Sequence, residues 1–241
     1  MKKYAVIGSP IAHSFSPDYF AAKFEQLRIS DCVYTAIDVP HIADIHQVVK
    51  QHNLDGFNVT IPHKQSIIGH LDGISDPAAK MNAVNTVVVK NGKLYGYNTD
   101  YQGFRRSIVA LLPNSQIKAL ILGNGGASRA VRFAFAQLGV AYHSVSRSKG
   151  LAFRYEDLTP EVVAEHHVII NTTPLGTYPN IEECIAIPYE GIGEQHVCYD
   201  LVYNPAETRF MKECKKRGAI TKNGKQMLAI QADMAWALWN T

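Results

Sequence analysis

Ala119-Leu120-Ile121-Leu122-Gly123-Asn124-Gly125-Gly126-Ala127-Ser128 is the stretch that decides the fold. Four apolar residues read as a buried strand and run straight into a glycine cluster, after which a helical pattern continues to residue 138. A further strand pattern over 140–146 completes a βαβ unit. Glycines let such a turn close tightly and let backbone approach a pyrophosphate, whose charge is favoured at a helix N-terminus. Gly123, Asn124, Gly125, Gly126 and Ala127 are therefore candidate cofactor contacts. Ser128 stands where the third glycine of G-x-G-x-x-G falls, so the match is partial, and an ordinary βα turn is the alternative.

Working outward, the second strand ends in Ser146-Arg147-Ser148-Lys149. An NAD site puts an acid roughly 20 residues beyond the glycine loop. Here no acid stands there; a guanidinium and an ammonium among hydroxyls suit a 2′-phosphate, although a solvated basic turn fits the spacing equally well. Strands over 167–170 and 197–202 and a helix over 101–112 extend the second half. The first half alternates in the same way. It reads as strands over 3–7, 32–38 and 56–60 and helices over 16–28 and 41–51, the first opened by Ser16 as N-cap, Pro17 and Asp18. Two strand patterns, 84–89 and 94–97, flank Asn91-Gly92, a strong hairpin signal. The expectation is an α/β protein of two domains. One covers 1–100 plus a C-terminal helix of about 222–241, with a mostly parallel mixed sheet carrying one antiparallel edge pair; the other covers 101–221 and is Rossmann-like.

Composition narrows the function classes. The chain has 241 residues, 46% hydrophobic and 19% charged, which suits a folded globular protein. A net charge of +3, scattered along the chain, argues against a nucleic-acid or anionic-membrane surface. Cys32, Cys184, Cys198 and Cys214 form no C-x-x-C pair and read as reduced thiols. The apolar run after Met1-Lys2-Lys3 is too short for a signal-peptide core, and Gln231 and Asp233 interrupt the late apolar stretch, so the expected location is cytoplasmic. No metal-ligand spacing and no G-x-S-x-G elbow occurs.

A second set of residues has no nucleotide logic. Asn58-Val59-Thr60, Asn85-Thr86, Asn98-Thr99 and Asn171-Thr172 recur at expected strand ends, where ligands of α/β sheets bind. Each pair taken singly is also an ordinary turn or cap. Lys64 and Asp100 close two of these blocks and form a plausible acid–base pair for a carbonyl–alcohol interconversion, with His63 rather positional. Ser14 and Ser16 offer hydroxyls suited to a carboxylate. Gln231 shares a helical stripe with Met227, Met234 and Leu238, so an amide on an apolar face needs partners, from a ligand or from the chain itself.

Taken together these residues resemble the shikimate dehydrogenase family. The resemblance runs from the serine loop at 8–17 to the helix carrying Gln231. It rests on Asn58-Val59-Thr60-Ile61-Pro62-His63-Lys64, Ala83-Val84-Asn85-Thr86, Asn98-Thr99-Asp100, the glycine loop, Asp200-Leu201-Val202-Tyr203-Asn204-Pro205 and Asn223-Gly224 with Met227-Leu228 and Gln231-Ala232. It implies a substrate domain, an NADP domain and a cleft between them. It also implies shikimate held by Ser14, Ser16, Thr60, Asn85, Asp100, Tyr203 and Gln231, and catalysis by Lys64 with Asp100. The implied NADP contacts are the glycine loop, Ser146, Arg147, Ser148, Thr172 and Gly224. The implied reaction is reversible NADPH-linked reduction of 3-dehydroshikimate, by a monomer or homodimer. Quinate or another cyclic polyol as substrate, and a non-catalytic NADP or shikimate sensor, are the rival readings. Departures from the family pattern include Asn82 and Asn124, in places of a usual glycine and alanine, Tyr97 and Tyr101, and Lys225-Gln226.

Overall fold

A computed structural model of the chain describes residues 1–11, 14–113, 116–147 and 150–241. Contacts divide it into two units, Met1–Thr99 with Gln231–Thr241, and Asp100–Ile230.

The first unit contains β1 (Lys2–Gly8), α1 (Ser16–Gln26), β2 (Cys32–Asp38), α2 (Ile45–His52), β3 (Gly56–Val59), β4 (Gly73–Ile74), α3 (Asp76–Met81), β5 (Thr86–Lys90) and β6 (Lys93–Tyr97). Its sheet runs β2-β1-β3-β5-β6-β4. β1 lies parallel to both neighbours, while β5 runs against both β3 and β6. The hairpin is therefore not the edge pair expected from the sequence. Gly73–Ile74 adds a short parallel edge strand outside it, and two residues carry no period to read. Asn91 (φ 53°) and Gly92 (φ 74°) supply the left-handed pair that a tight hairpin turn needs.

Alternation along β1 feeds two cores. Ala5 and Ile7 join Ile45, Phe57, Val59 and Val87 on one face; Tyr4 and Val6 join Phe20, Phe24, Tyr34, Ala232, Ala235 and Trp239 on the other. The last helix is thus pinned by Trp239, whose ring stacks on Tyr4 at 4.6 Å and whose Nε1 donates to the Val87 carbonyl at 3.0 Å. Met227 and Gln231 of the expected stripe are buried, as are Ala232, Ala235 and Trp239 beside them, whereas Met234 and Leu238 are only half-buried. Ser16 is not the cap of α1. The helix begins at Ser16, and Ser14 Oγ instead accepts from the Ser16 amide at 3.4 Å, because a serine oxygen readily reaches the amide two residues on.

The second unit contains α4 (Asp100–Ile108), β7 (Lys118–Leu122), α5 (Gly126–Leu138), β8 (Ala141–Ser146), β9 (Phe153–Arg154), α6 (Pro160–Ala164), β10 (Val168–Asn171), β11 (Val197–Asp200), α7 (Arg209–Lys215), β12 (Ile220–Lys222) and the start of α8 (Lys225–Trp239). Its sheet is parallel at every pairing, in the order β12-β11-β10-β7-β8-β9. Strand order reverses between β7 and β10, the topological switch point where open α/β sheets bind ligands. Phe104 of α4 packs edge-on against Phe135 of α5 and Tyr199 of β11 on one face. Leu120, Leu122, Ile169 and Phe210 fill the other.

Candidate active site

In the first unit, Gly8 brings two loops together. A Cβ there would meet Thr60 Cγ2 at 2.5 Å and the Ile61 carbonyl at 2.7 Å, so only glycine lets the serine loop lie against the loop after β3. The Ser9 amide reinforces this by donating to the Ile61 carbonyl at 3.1 Å. Ser14 and Ser16, both half-buried, follow on one side and Thr60 stands on the other. His63 is buried and its Nε2 bonds the Val39 carbonyl at 2.5 Å, which makes it a structural anchor for the loop. Lys64 is half-buried, and its carbonyl accepts from the Val84 amide at 2.7 Å, next to Asn85 in the chain.

Asn85 is the hub of this half. Its Nδ2 donates to Thr99 Oγ1 at 2.9 Å and to Gln231 Oε1 at 3.2 Å, and its Oδ1 accepts from the Thr99 amide at 2.7 Å. Gln231, 8% exposed, therefore finds side-chain partners, Thr99 Oγ1 included at 3.4 Å. Sequence reasoning did not single out Thr99 within its Asn-Thr block as the residue joining these two amides. Asp100, also buried, is the first residue of α4 and opens the second unit.

In the second unit, the ends of β7, β8 and β10 meet at the switch point. Gly123 (φ 113°) donates its amide to the Val145 carbonyl at 2.9 Å, and a Cβ on it would meet Thr172 Oγ1 at 2.6 Å. Thr172 Oγ1 in turn donates to the Leu122 carbonyl at 2.7 Å. Gly125, the residue before α5, has nothing within 4 Å of where its Cβ would stand, so the loop's backbone is open to a ligand. Asn124 is exposed, and its Oδ1 accepts from Arg132 of α5 at 3.1 Å, a partner that the sequence reading missed. Ser146 ends β8 and is buried, whereas Arg147 beside it is exposed. Burial pushes the Tyr155 phenol up to about 12, and the nearby Arg147 charge opposes that rise. Ser148 lies outside the described residues. A glycine cradle at the switch point and an arginine at the next strand end, with no acid in the Ser146-Arg147 pair, fit a 2′-phosphorylated dinucleotide.

Tyr203, half-buried, sits in the loop after β11. Asp200 anchors that loop with a fully buried carboxylate accepting from the Val202 amide at 3.0 Å, Asn171 Nδ2 at 3.1 Å and Thr208 Oγ1 at 2.6 Å. The Gly224 amide donates to the Val202 carbonyl at 3.1 Å, so Gly224 borders the same loop. Among the described residues no cluster of His, Cys, Asp and Glu could hold a metal, and no helix is long and apolar enough to cross a membrane.

Residues 6–87 match the shikimate dehydrogenase substrate binding domain. A protein of Caldanaerobacter subterraneus subsp. tengcongensis named shikimate dehydrogenase (NADP(+)) is 38% identical over 99% of this chain and 91% of its own length. The chain belongs to the shikimate dehydrogenase family. The crystal structure of shikimate dehydrogenase from Aquifex aeolicus superposes with a TM-score of 0.90 at 35% identity, covering 100% of this chain and 92% of that one. Shikimate 5-dehydrogenase from Thermus thermophilus, solved in complex with NADP(H) and shikimate, gives 0.87 at 34% identity, covering 99% of this chain and 93% of that one. Within this family member Asn82 takes the left-handed position after α3 (φ 50°), and asparagine is the residue other than glycine that best tolerates it.

Proposed function

We propose that the protein reduces 3-dehydroshikimate to shikimate with NADPH, reversibly, on the route to chorismate and the aromatic amino acids. The observation that carries this is similarity along 99% of the chain to a relative named shikimate dehydrogenase (NADP(+)). In this reading Met1–Thr99 with the end of α8 forms the substrate domain, and Asp100–Ile230 the NADP domain. Ser14 and Ser16 take the substrate carboxylate, and Thr60, Asn85, Asp100, Tyr203 and Gln231 take its hydroxyls. The 123–127 loop takes the pyrophosphate of NADP, Ser146 and Arg147 with Ser148 the 2′-phosphate, and Thr172 and Gly224 the remainder.

NADPH, when bound, supplies a hydride to the substrate carbonyl carbon. Lys64 meets the charge that develops on the carbonyl oxygen as an ammonium and gives it a proton; in the reverse direction its amine accepts one. Asp100 holds Lys64 and a substrate hydroxyl, fixing the distance between donor and acceptor. The four cysteines are unpaired thiols, which suits a reducing cytoplasm. Purified protein given NADPH and dehydroshikimate is expected to consume the cofactor, and much more slowly with quinate plus NADP in the oxidising direction or with NADH in place of NADPH. Equal turnover of quinate would move the assignment to a broader polyol dehydrogenase, and binding without turnover to a sensor.

A further inference from the structure

Arg129 lies in the first turn of α5 and Arg132 in the second, at the end of a helix where its dipole disfavours a cation. At this spacing the two share one face, where like charges repel. Gly126–Leu138 contains no acid, and among the described residues no ion pair involves either arginine. Arg129 Nε is buried without a hydrogen-bond partner. Burial and the Arg129 charge both hold the Arg132 guanidinium below its ordinary ionisation. The helix thus carries two cations to which the protein itself offers no counter-charge.

Helical side chains lean toward the helix N-terminus, and that of Arg132 runs back to the glycine loop. Its Nη2 donates to Asn124 Oδ1 at 3.1 Å. A guanidinium has only donors, so Asn124 presents its oxygen to Arg132 and turns its Nδ2 donors elsewhere. Asn124 is exposed, and beside it the space where a Gly125 Cβ would stand is open. The remaining N–H groups of the Arg132 fork therefore lie at the edge of that opening. An alanine at 124 would leave the arginine without this tether.

We propose that Arg132 is a further cofactor-binding residue, held by Asn124 to take phosphate oxygens of the NADP pyrophosphate. The proposal rests on the reading that the 123–127 loop holds that pyrophosphate. A guanidinium matches two phosphate oxygens at once and bonds them more strongly than a neutral donor does. The bound anion also offsets the repulsion between Arg129 and Arg132. NADP and NAD share the pyrophosphate, so Arg132 serves affinity for either, whereas Arg147 serves the choice between them.

Arg132→Gln keeps a long polar side chain of good helix propensity and deletes the charge. Calorimetric titration compares NADP with 2′-AMP, which carries the 2′-phosphate and no pyrophosphate. NADP is expected to bind about ten- to hundredfold more weakly, the size of one hydrogen bond to a charged group, while 2′-AMP changes by less than about threefold. Asn124→Ala should weaken NADP by a smaller factor, and add little in the Arg132→Gln background, because Asn124 acts through the guanidinium. Without cofactor, Arg132→Gln should melt at or above the wild-type temperature, since a like-charge contact has gone. Equal losses for NADP and 2′-AMP would place Arg132 at the 2′-phosphate and overturn the proposal. Unchanged NADP affinity with a lowered melting temperature would make the Asn124–Arg132 bond structural only. Either result leaves the glycine-loop reading standing; failure of the wild type to bind NADP would remove that reading, and the proposal with it.

Discussion

Asn85 Nδ2 donates to Gln231 Oε1 at 3.2 Å across 146 residues of sequence. The bond explains an amide on an otherwise apolar stretch of the last helix, since a buried amide without partners is costly. Thr99 contacts both residues, so a strand end, a helix and the residue before Asp100 share one buried polar cluster. Trp239 pins the same helix two turns further on, through the Val87 carbonyl.

Gln231→Ala should cost about 1–2 kcal/mol of stability, because Asn85 keeps Thr99 as a partner but loses one acceptor. If Gln231 also binds substrate, the shikimate KM should rise about tenfold with kcat less affected, one lost hydrogen bond in binding. Urea denaturation and steady-state kinetics separate the two effects. A stability loss with unchanged KM would leave Gln231 a purely structural residue.

The glycine loop, the Asn91-Gly92 hairpin and the last helix were legible because a turn signal or a long apolar period marks each. Between residues 150 and 222 the strands over 167–170 and 197–202 were legible, but the helix signals were too short to read. Thr159 accepts from the Val162 amide and Thr208 from the Met211 amide as ordinary helix caps, yet α6 and α7 have only 5 and 7 residues, too few for a helical period to repeat legibly. The chemistry-bearing residues stood out by type at strand ends, whereas their connections did not. No spacing rule relates Asn85 to Gln231, or Arg132 to Asn124.

Arg147 tests cofactor choice. It is exposed at the end of β8, and no acid stands beside it in the Ser146-Arg147 pair to bind a free 2′-hydroxyl. Arg147→Ala should weaken NADP binding by roughly 1.5–3 kcal/mol, the range for hydrogen bonds to a charged group, while NAD binding changes little. Titration of both cofactors measures this, and equal losses would remove the 2′-phosphate role.

Asp200 should make stability depend on pH. Burial pushes its carboxyl from the ordinary 3.8 up to about 6, more than its three hydrogen-bond donors pull it down. The folded chain therefore binds this proton more tightly than the unfolded chain, and the Asp200 contribution to stability falls as pH rises from about 4 to about 6. At about 1.4 kcal/mol per pH unit the change is roughly 3 kcal/mol. A carboxamide does not titrate in this range, so Asp200→Asn should gain on the wild type by that order between about pH 4 and pH 7.5. Denaturation at the two pH values checks it, and a constant difference would show that the carboxyl titrates alike in both states.

Lys64 decides the mechanism. Its backbone is fixed by the Val84 amide, so removing the side chain should leave the Asn85 strand end in place. Lys64→Ala is expected to lower kcat by about 10²–10⁴, the usual contribution of general acid–base catalysis. Shikimate affinity should change far less, because in the proposed site Ser14, Ser16, Asn85 and Gln231 still hold the substrate. Single-turnover hydride transfer and direct binding of shikimate measure the two separately. A raised KM with intact kcat would mean that the lysine binds ground state and transition state alike, and the proton would then have to come from another group.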